Sequence, residues 1–441
     1  MIEQIRLLHL NDLHSHFEHY PKVKRFFERA CPDEIETIRL DIGDNVDKSH
    51  PLTAATSGRA NVHLMNRLQL DFATIGNNEG IGLSKAEMNK LYDEADFQVL
   101  LGNLEDGTGQ PAWASPYAIY KTKAGTKIAF LAYTFPYYLT YQPNGWQVLD
   151  PLTCLERDLT REEVAEADLI VLLSHLGLPY DEKIAERFDQ IDLIIGSHTH
   201  HLLEEGAVVN GTYLAAAGRY GEYVGQIDLN LKDGQIDQIE ILAHKTSHLP
   251  SLPEDEIWIE EQVKRGFDLL SEDKICQFDH DLTLEASADL TMKAMKSYAQ
   301  APFCIINSGL IVEPFTKDLT MAELQRSLPH QMRLVRLEVT LDELAEICQE
   351  VFGKEELLRS QQIKGMGFRG KIFGNVLTSG FTYKNGKIVY NDKVIRKSDR
   401  YSLVLVDQYY FASYFETIKS KKAELLFPEL LRELVADDLR Q

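Results

Sequence analysis

The chain predicts a mixed α/β fold in two domains, and three patterns carry that prediction. Short apolar runs recur through the amino-terminal half, each ending abruptly in Gly, Asn, Asp or Ser, as buried strands do where they leave a sheet. Between them lie stretches of helical period at residues 20–30, 61–70, 84–95 and 181–188. Residues 212–244 then alternate apolar and polar positions around Lys232-Asp233-Gly234-Gln235, a hairpin turn signal.

At 441 residues and 44% apolar composition, the chain is long enough for two ordinary cores. The first domain is expected over residues 1–245. Residues 246–275 form a connector, in which Pro250 and Pro253 interrupt the chain before a charged amphipathic helix at 254–270. Residues 276–441 form the second domain.

Five strand-like segments share one form, an apolar run followed at once by metal-ligand side chains. They are Leu7-Leu8-His9-Leu10-Asn11-Asp12-Leu13-His14, Ile38-Arg39-Leu40-Asp41-Ile42-Gly43-Asp44-Asn45 and Phe72-Ala73-Thr74-Ile75-Gly76-Asn77-Asn78-Glu79, then Leu169 through His175 and Leu193 through His200. Carboxyl ends of neighbouring strands converge on one crevice, where α/β sheets hold their chemistry. The candidate ligands are Asp12, His14, Asp44, Asn77, His175, His198 and His200. They offer carboxylate, imidazole and amide donors with no thiolate, a set suited to two divalent ions of Mn, Zn, Fe or Co. Asp12 and His14 stand two apart, as do His198 and His200, so an extended strand end points each pair to one side. Asp44 has two oxygens with which to bridge two metals. Two metals roughly 3.5–4 Å apart suit phosphoester hydrolysis.

These blocks resemble the signature of the calcineurin-like metallophosphoesterases, and specifically their 5′-nucleotidase branch. That branch carries a Leu-His-x-Asn-Asp-x-His block early and a Gly-Ser/Gly-His-x-His/Gln block late. The resemblance implies an amino-terminal four-layer α/β/β/α sandwich and a carboxyl-terminal α/β substrate-binding domain. It implies that Asp12, His14, Asp44 and His200 hold one metal, and that Asp44, Asn77, His175 and His198 hold the other.

The third block departs from the family. Gly-Asn-His-Glu-x-Asp is usual there, with the His acting on the transition state and the Asp orienting it; here Asn78 replaces the His and Ile81 the Asp. Asn78 can donate a hydrogen bond to a phosphoryl oxygen but cannot exchange a proton near neutral pH. His16, His63 and His201 are the nearest replacements by sequence. In the second half, Asn307-Ser308-Gly309-Leu310-Ile311 resembles a family substrate-binding segment, with Val312 where relatives carry Arg. Phe368, Phe373 and Tyr410 lie near the places of base-stacking aromatics, so Asn307, Phe368, Phe373 and Tyr410 are the expected substrate contacts.

The expected function is release of phosphate from nucleotides or related monoesters, with Asp44 and Asn78 at the reacting centre. Two alternatives are a phosphodiesterase or pyrophosphatase at the same site, whose better leaving groups tolerate a missing general acid, and a low-turnover nucleotide sensor. A net charge of −22 argues against a nucleic-acid polymer as partner. Five scattered cysteines (Cys31, Cys154, Cys276, Cys304, Cys348) read as reduced thiols. With no signal-like amino terminus and no membrane-length apolar run, the expected partner is a small molecule, with no membrane, in the cytoplasm.

Overall fold

The computed structural model describes residues 2–361, 367–390 and 399–441. The chain divides into two compact units, Met1–Arg265 and Gly266–Gln441, and the division falls inside the helix Pro253–Glu272. The first turns of that helix dock on the first unit. Arg25 makes two hydrogen bonds to the Asp255 carboxylate at 2.6 and 2.8 Å, and Trp258 stacks on Tyr20.

The first unit is built on two six-stranded sheets. One runs in the order Gln235–Lys245, Tyr223–Lys232, Ile2–Leu10, Glu36–Asp41, Phe72–Ala73, Gln98–Val99; the other runs Leu202–Val209, Thr212–Ala217, Leu193–Gly196, Leu169–His175, Lys127–Thr134, Tyr117–Lys121. In the first sheet the last four strands are parallel, and in the second Thr212–Ala217, Leu193–Gly196, Leu169–His175 and Lys127–Thr134 are parallel.

Side-chain alternation explains the layering. On the first strand Ile5 and Leu7 face the opposite sheet, joining Ile38, Leu40, Val171, Leu173 and Ile195 in the inter-sheet core. Leu8 and Leu10 face the other way, onto Val23 and Phe27 of the helix Tyr20–Arg29 and Leu64 and Met65 of the helix Arg59–Arg67. On the strand Leu169–His175 the odd positions enter the inter-sheet core, while Ile170 and Leu172 pack on Leu152, Leu155, Ile184 and Ala185. Strands buried on both faces read as continuous apolar runs, and the result is the four-layer α/β/β/α sandwich.

The expected helices are present with shifted ends, each shift having a local cause. The one expected at 181–188 starts at Leu178, because Pro179 sets up the first turn. The one expected at 61–70 is Arg59–Arg67, stopped before Gln69, whose φ is 55°. The one expected at 84–95 is Lys85–Leu91, opened by a capping box between Ser84 and Glu87. The hairpin closes with Lys232 paired to Gln235 across Asp233 and Gly234, both at positive φ (51° and 82°), as a two-residue turn requires.

The second unit contains a five-stranded sheet ordered Val376–Ser379, Phe303–Asn307, Tyr401–Val406, Leu334–Val339, Ala423–Leu426. Helices Leu284–Ala299, Leu341–Arg359 and Leu431–Arg440 contribute to its core. Among the described residues no helix is long and apolar enough to cross a membrane.

Leu173 is fully buried between the sheets, one turn of the pleat before His175. Leu173→Ala is expected to destabilise the protein by about 2–5 kcal/mol, read from the midpoint of chemical denaturation. A cost below about half a kilocalorie would show that this inter-sheet core is loosely packed.

Candidate metal centre

Metal-ligand side chains collect beyond the carboxyl ends of five strands, three from one sheet and two from the other. The backbone there is not extended. Asp12, His14, Asp44, His198 and His200 have φ of 45°, 48°, 51°, 72° and 57°, a left-handed conformation that costs roughly 1–3 kcal/mol per non-glycine residue and concentrates at functional sites. The expectation that each paired motif projects from an extended strand end is therefore corrected. The first strand stops at Leu10 and the fifth at Gly196. Tight left-handed turns then fold the side chains back over the sheet edges.

Those turns, with His175 at the end of its own strand, bring six residues into two groups. Asp12, His14 and His200 offer ligand atoms lying within 4.8 Å of one another, as do Asp44, His175 and His198. Asp44 stands between the groups, its Oδ2 being 3.5 Å from both His14 Nε2 and His175 Nε2. Asp12 Oδ1 is 3.8 Å from His14 Nε2 and 3.6 Å from His200 Nε2. The donors fit divalent cations on a further count. His14 Nε2, His175 Nε2 and Asn77 Oδ1 are buried with no hydrogen-bond partner, which in a folded protein demands an explanation such as an ion.

Backing residues fix the ligands. The Ile42 carbonyl, which can only accept, lies 2.7 Å from His175 Nδ1; the proton stays on Nδ1 and Nε2 faces the site. Ser197 donates to Asp12. Glu79 accepts from the backbone N–H of Asp44, Val46 and Gly76 at 2.8–3.0 Å, pinning the Asp44 loop to the Asn77 loop. Asp41 accepts from Gly43 N and from the Asn45 amide. Gly76 has no alternative: a Cβ there would meet Asp44 Oδ1 at 2.0 Å and His175 Nε2 at 2.4 Å. Gly76→Ala is expected to abolish tight Mn²⁺ binding while leaving far-ultraviolet circular dichroism native. Retained affinity would place the metals elsewhere.

The electrostatics are those of a site short of positive charge. Burial, reinforced by like charges, pushes Asp12 and Glu79 up to about 7; burial likewise raises Asp41 to about 7 and Asp181 to about 8. Burial also raises Asp44, but the opposing influence of His175, His14 and the Asn78 N–H holds it well below the usual carboxylate range. For His175 burial favours the neutral form, yet Asp44 and Asp12 outweigh it and raise the imidazole to about 10. Burial and neighbouring imidazoles lower His198 to about 3 and His200 to about 4.

A pH dependence of the metal-free protein follows. The four raised carboxyl groups ionise near pH ~4 in the unfolded chain, so they release protons on unfolding up to about pH 8. The lowered His198 and His200 oppose them by taking up protons on unfolding below about pH 6.5, and stability falls with pH once those imidazoles are neutral in both states, above about pH 7. His175 acts in the same direction: its stabilisation is complete below about pH 6.5 and is lost as pH rises through 10. Chelator-treated protein is expected to melt lower at about pH 9 than at about pH 7, where His175 and Asp181 lose the protons the fold favours, and Mn²⁺ is expected to reduce that slope. A melting temperature that climbs over this window without metal would contradict the charge arrangement.

The other expected site residues are differently placed. Asn78 donates from its side-chain amide to the Val46 carbonyl at 2.9 Å, lies 2.8 Å from His14 Nδ1, and donates its backbone N–H to Asp44 Oδ1 at 2.7 Å. Its amide is engaged in holding the loops. Asn307 is fully buried, donating to Phe373 O at 2.6 Å and accepting from Tyr409 at 2.7 Å. Phe373 is buried against Tyr409 and Phe415, and Phe368 is stacked on His330. The expectation that Asn307, Phe368 and Phe373 face a ligand is corrected, since core packing occupies their polar atoms and ring faces; Tyr410 alone of the four keeps open surface.

Among the histidines proposed to replace the missing one, His63 pairs with Glu94 on an exposed helix face and His201 bonds Thr199. His16 stacks on Tyr220, which packs edge-on against His14. Two rim features are absent from the expected set. Phe135 stacks on His198 and the Tyr137 hydroxyl lies 3.3 Å from His198 Nε2; Arg219 Nη1 lies 3.1 Å from His200 Nδ1.

Residues 5–202 match the calcineurin-like phosphoesterase family. Over 100% of both chains, the sequence is 37% identical to the uncharacterized metallophosphoesterase YunD of Bacillus subtilis (strain 168). The chain belongs to the calcineurin-like metallophosphoesterases. It is a metal-dependent hydrolase of phosphoric esters. The enzyme is also 24% identical to the trifunctional nucleotide phosphoesterase protein YfkN of the same organism, over 78% of this chain and 27% of that one. Its fold is that of a 5′-nucleotidase precursor from Thermus thermophilus, with a TM-score of 0.59 at 18% identity over 99% of this chain and 96% of the other.

Proposed function

We propose that the enzyme releases phosphate from nucleotides or closely related phosphate esters. In this proposal two divalent cations are held, one by Asp12, His14, His200 and Asp44, the other by Asp44, Asn77, His175 and His198. The observation that carries it is Asp44 Oδ2 lying 3.5 Å from the Nε2 of His14 on one side and of His175 on the other, neither nitrogen making a hydrogen bond. Cations bound there supply Lewis acidity toward phosphoryl oxygens and activate water as nucleophile. The protein's own part is orientation: the Ile42 carbonyl sets His175, Ser197 sets Asp12, and Glu79 holds the Asp44 loop. Relatives named 5′-nucleotidase support the nucleotide assignment, as does the nucleotide phosphoesterase YfkN.

One observation favours substrates with good leaving groups. The Asn78 amide is engaged with Val46 O and His14, and an asparagine in that place cannot protonate a leaving oxygen. Loss of a general acid costs about 10²–10⁴-fold for poor leaving groups and less for good ones. A diester or pyrophosphate linkage at the same site is therefore the second reading. Substrate selection by residues 276–441, with Tyr410 as contact, and a cytoplasmic location belong to the same proposal; five cysteines without a disulfide support the latter.

The test is phosphate release by Mn²⁺-loaded protein from 5′-nucleotides, cyclic nucleotides and nucleoside diphosphate sugars. Asp44→Asn is expected to lower turnover by more than ~10²-fold, since losing even an outer partner of a metal ligand costs ~10–100-fold. Turnover should rise steeply as the leaving group's pKa falls. Turnover that survives Asp44→Asn would remove the two-metal proposal; metal and nucleotide binding without turnover would leave a sensor in its place.

A further inference from the structure

We propose that Arg219 is a substrate-binding residue of this site, gripping the phosphoryl oxygens on the side of the Asp12, His14 and His200 group. The inference rests on the hydrolase proposal above and adds a contact to it.

Arg219 occupies the same topological position as the ligands. The strand Thr212–Ala217 runs parallel to Leu193–Gly196, and Arg219 follows its end by two residues, as His198 follows Gly196 and Asp12 follows Leu10. Its turn is fastened to two ligand loops, Tyr220 N–H donating to Asp12 O at 2.7 Å and Gly218 N–H to His201 O at 2.9 Å. Gly218, Tyr220 and Gly221 have φ of 68°, 62° and 70°. A left-handed aromatic residue is a genuine outlier, and it joins the five left-handed ligands around the same crevice. The backbone strain here serves to present Arg219 and Tyr220.

The guanidinium is committed to nothing that neutralises it. Arg219 is exposed, and its partners among the described residues are the His200 ring nitrogen at 3.1 Å and the Tyr220 ring face at 4.5 Å, not a carboxylate. The His200 contact is also conditional. A guanidinium only donates, so Nδ1 must keep its lone pair. His200 Nε2 faces Asp12 Oδ1 at 3.6 Å; an imidazole that gives its Nε2 lone pair to a cation carries its proton on Nδ1, and two donors then oppose each other. The guanidinium is released toward the crevice, where its planar fork matches phosphoryl oxygens. It supplies there the charged donor that Asn78, an uncharged amide bonded to the Val46 carbonyl, does not.

The competing explanation is that Arg219 only props the His200 ring. Arg219→Gln and Arg219→Lys separate the two in calorimetric titrations, first with Mn²⁺ and then with inorganic phosphate on the Mn²⁺-loaded protein. Substrate contact predicts Mn²⁺ affinity unchanged or tighter in Arg219→Gln, because a guanidinium 3.1 Å from His200 Nδ1 would repel a cation held on the other ring nitrogen. It predicts phosphate binding weakened about 10–100-fold, partly restored in Arg219→Lys, and kcat/KM falling in parallel. Weaker Mn²⁺ binding with phosphate binding lost alongside it would mean a prop, and unchanged phosphate binding would overturn the proposal outright. The phosphate titration needs no turnover, so it answers even if no phosphate ester is hydrolysed and the proposed function fails.

Discussion

The structure of the first unit is governed by the cost of gathering buried carboxyl groups and imidazoles in one crevice. Asp12, Asp41, Asp44 and Glu79 are each almost inaccessible to water, as is His175. The protein alone neutralises them incompletely: Asp44 and His175 balance as an ion pair, while burial drives Asp12, Asp41 and Glu79 toward their neutral forms near pH 7. Uncompensated buried charge is expensive. Divalent cations held by these donors would complete the arrangement, and hydrogen bonds tie the surrounding loops to one another.

Those ties define a division of labour. The sandwich core is apolar and continuous across both sheets, so the strand ends are rigid points of departure. Each ligand loop is then closed by a hydrogen bond to another loop rather than to its own strand. Asp12 N–H donates to Gly43 O, His14 N–H to Asp44 O, Thr74 N–H to Asp41 O, and Glu79 gathers three further N–H groups. Left-handed backbone at five ligands is the strain this cross-linking sustains. Side chains with no ligand role, such as Asn61 bridging Asn45 and Ser15, belong to the same mesh.

At Asn78 the centre carries an amide that holds the ligand loops and cannot exchange a proton near neutral pH. Its backbone N–H still supports Asp44, and its amide ties the Val46 and His14 loops together. The Asn78 side chain acts here as a structural cross-link. Proton supply to a leaving group and charge stabilisation are thereby separated, and the second is available from a different strand end.

Much of the first unit was legible because its signals are local. Period-2 and period-3.6 patterns, the Asp233-Gly234 turn and apolar runs ending in Asp, Asn or His are read from neighbouring residues, and they pointed to the layered fold and to the residues now found in two groups. Phe373 and Asn307 were misjudged because a sequence does not say whether an aromatic ring or an amide is spent on its own core. Arg219 and Tyr137 were overlooked although their segments, Leu214-Ala215-Ala216-Ala217-Gly218-Arg219 and Ala132-Tyr133-Thr134-Phe135-Pro136-Tyr137, have the same apolar-run-then-polar form; they lack the ligand residue types that drew attention to the other five. What the sequence determined by itself was the inventory of donors and the strands that deliver them. Which donors face one another, which carboxyl groups lose their charge and which arginine lacks a carboxylate were decided only by the tertiary structure, because desolvation and pairing depend on groups far apart in the chain.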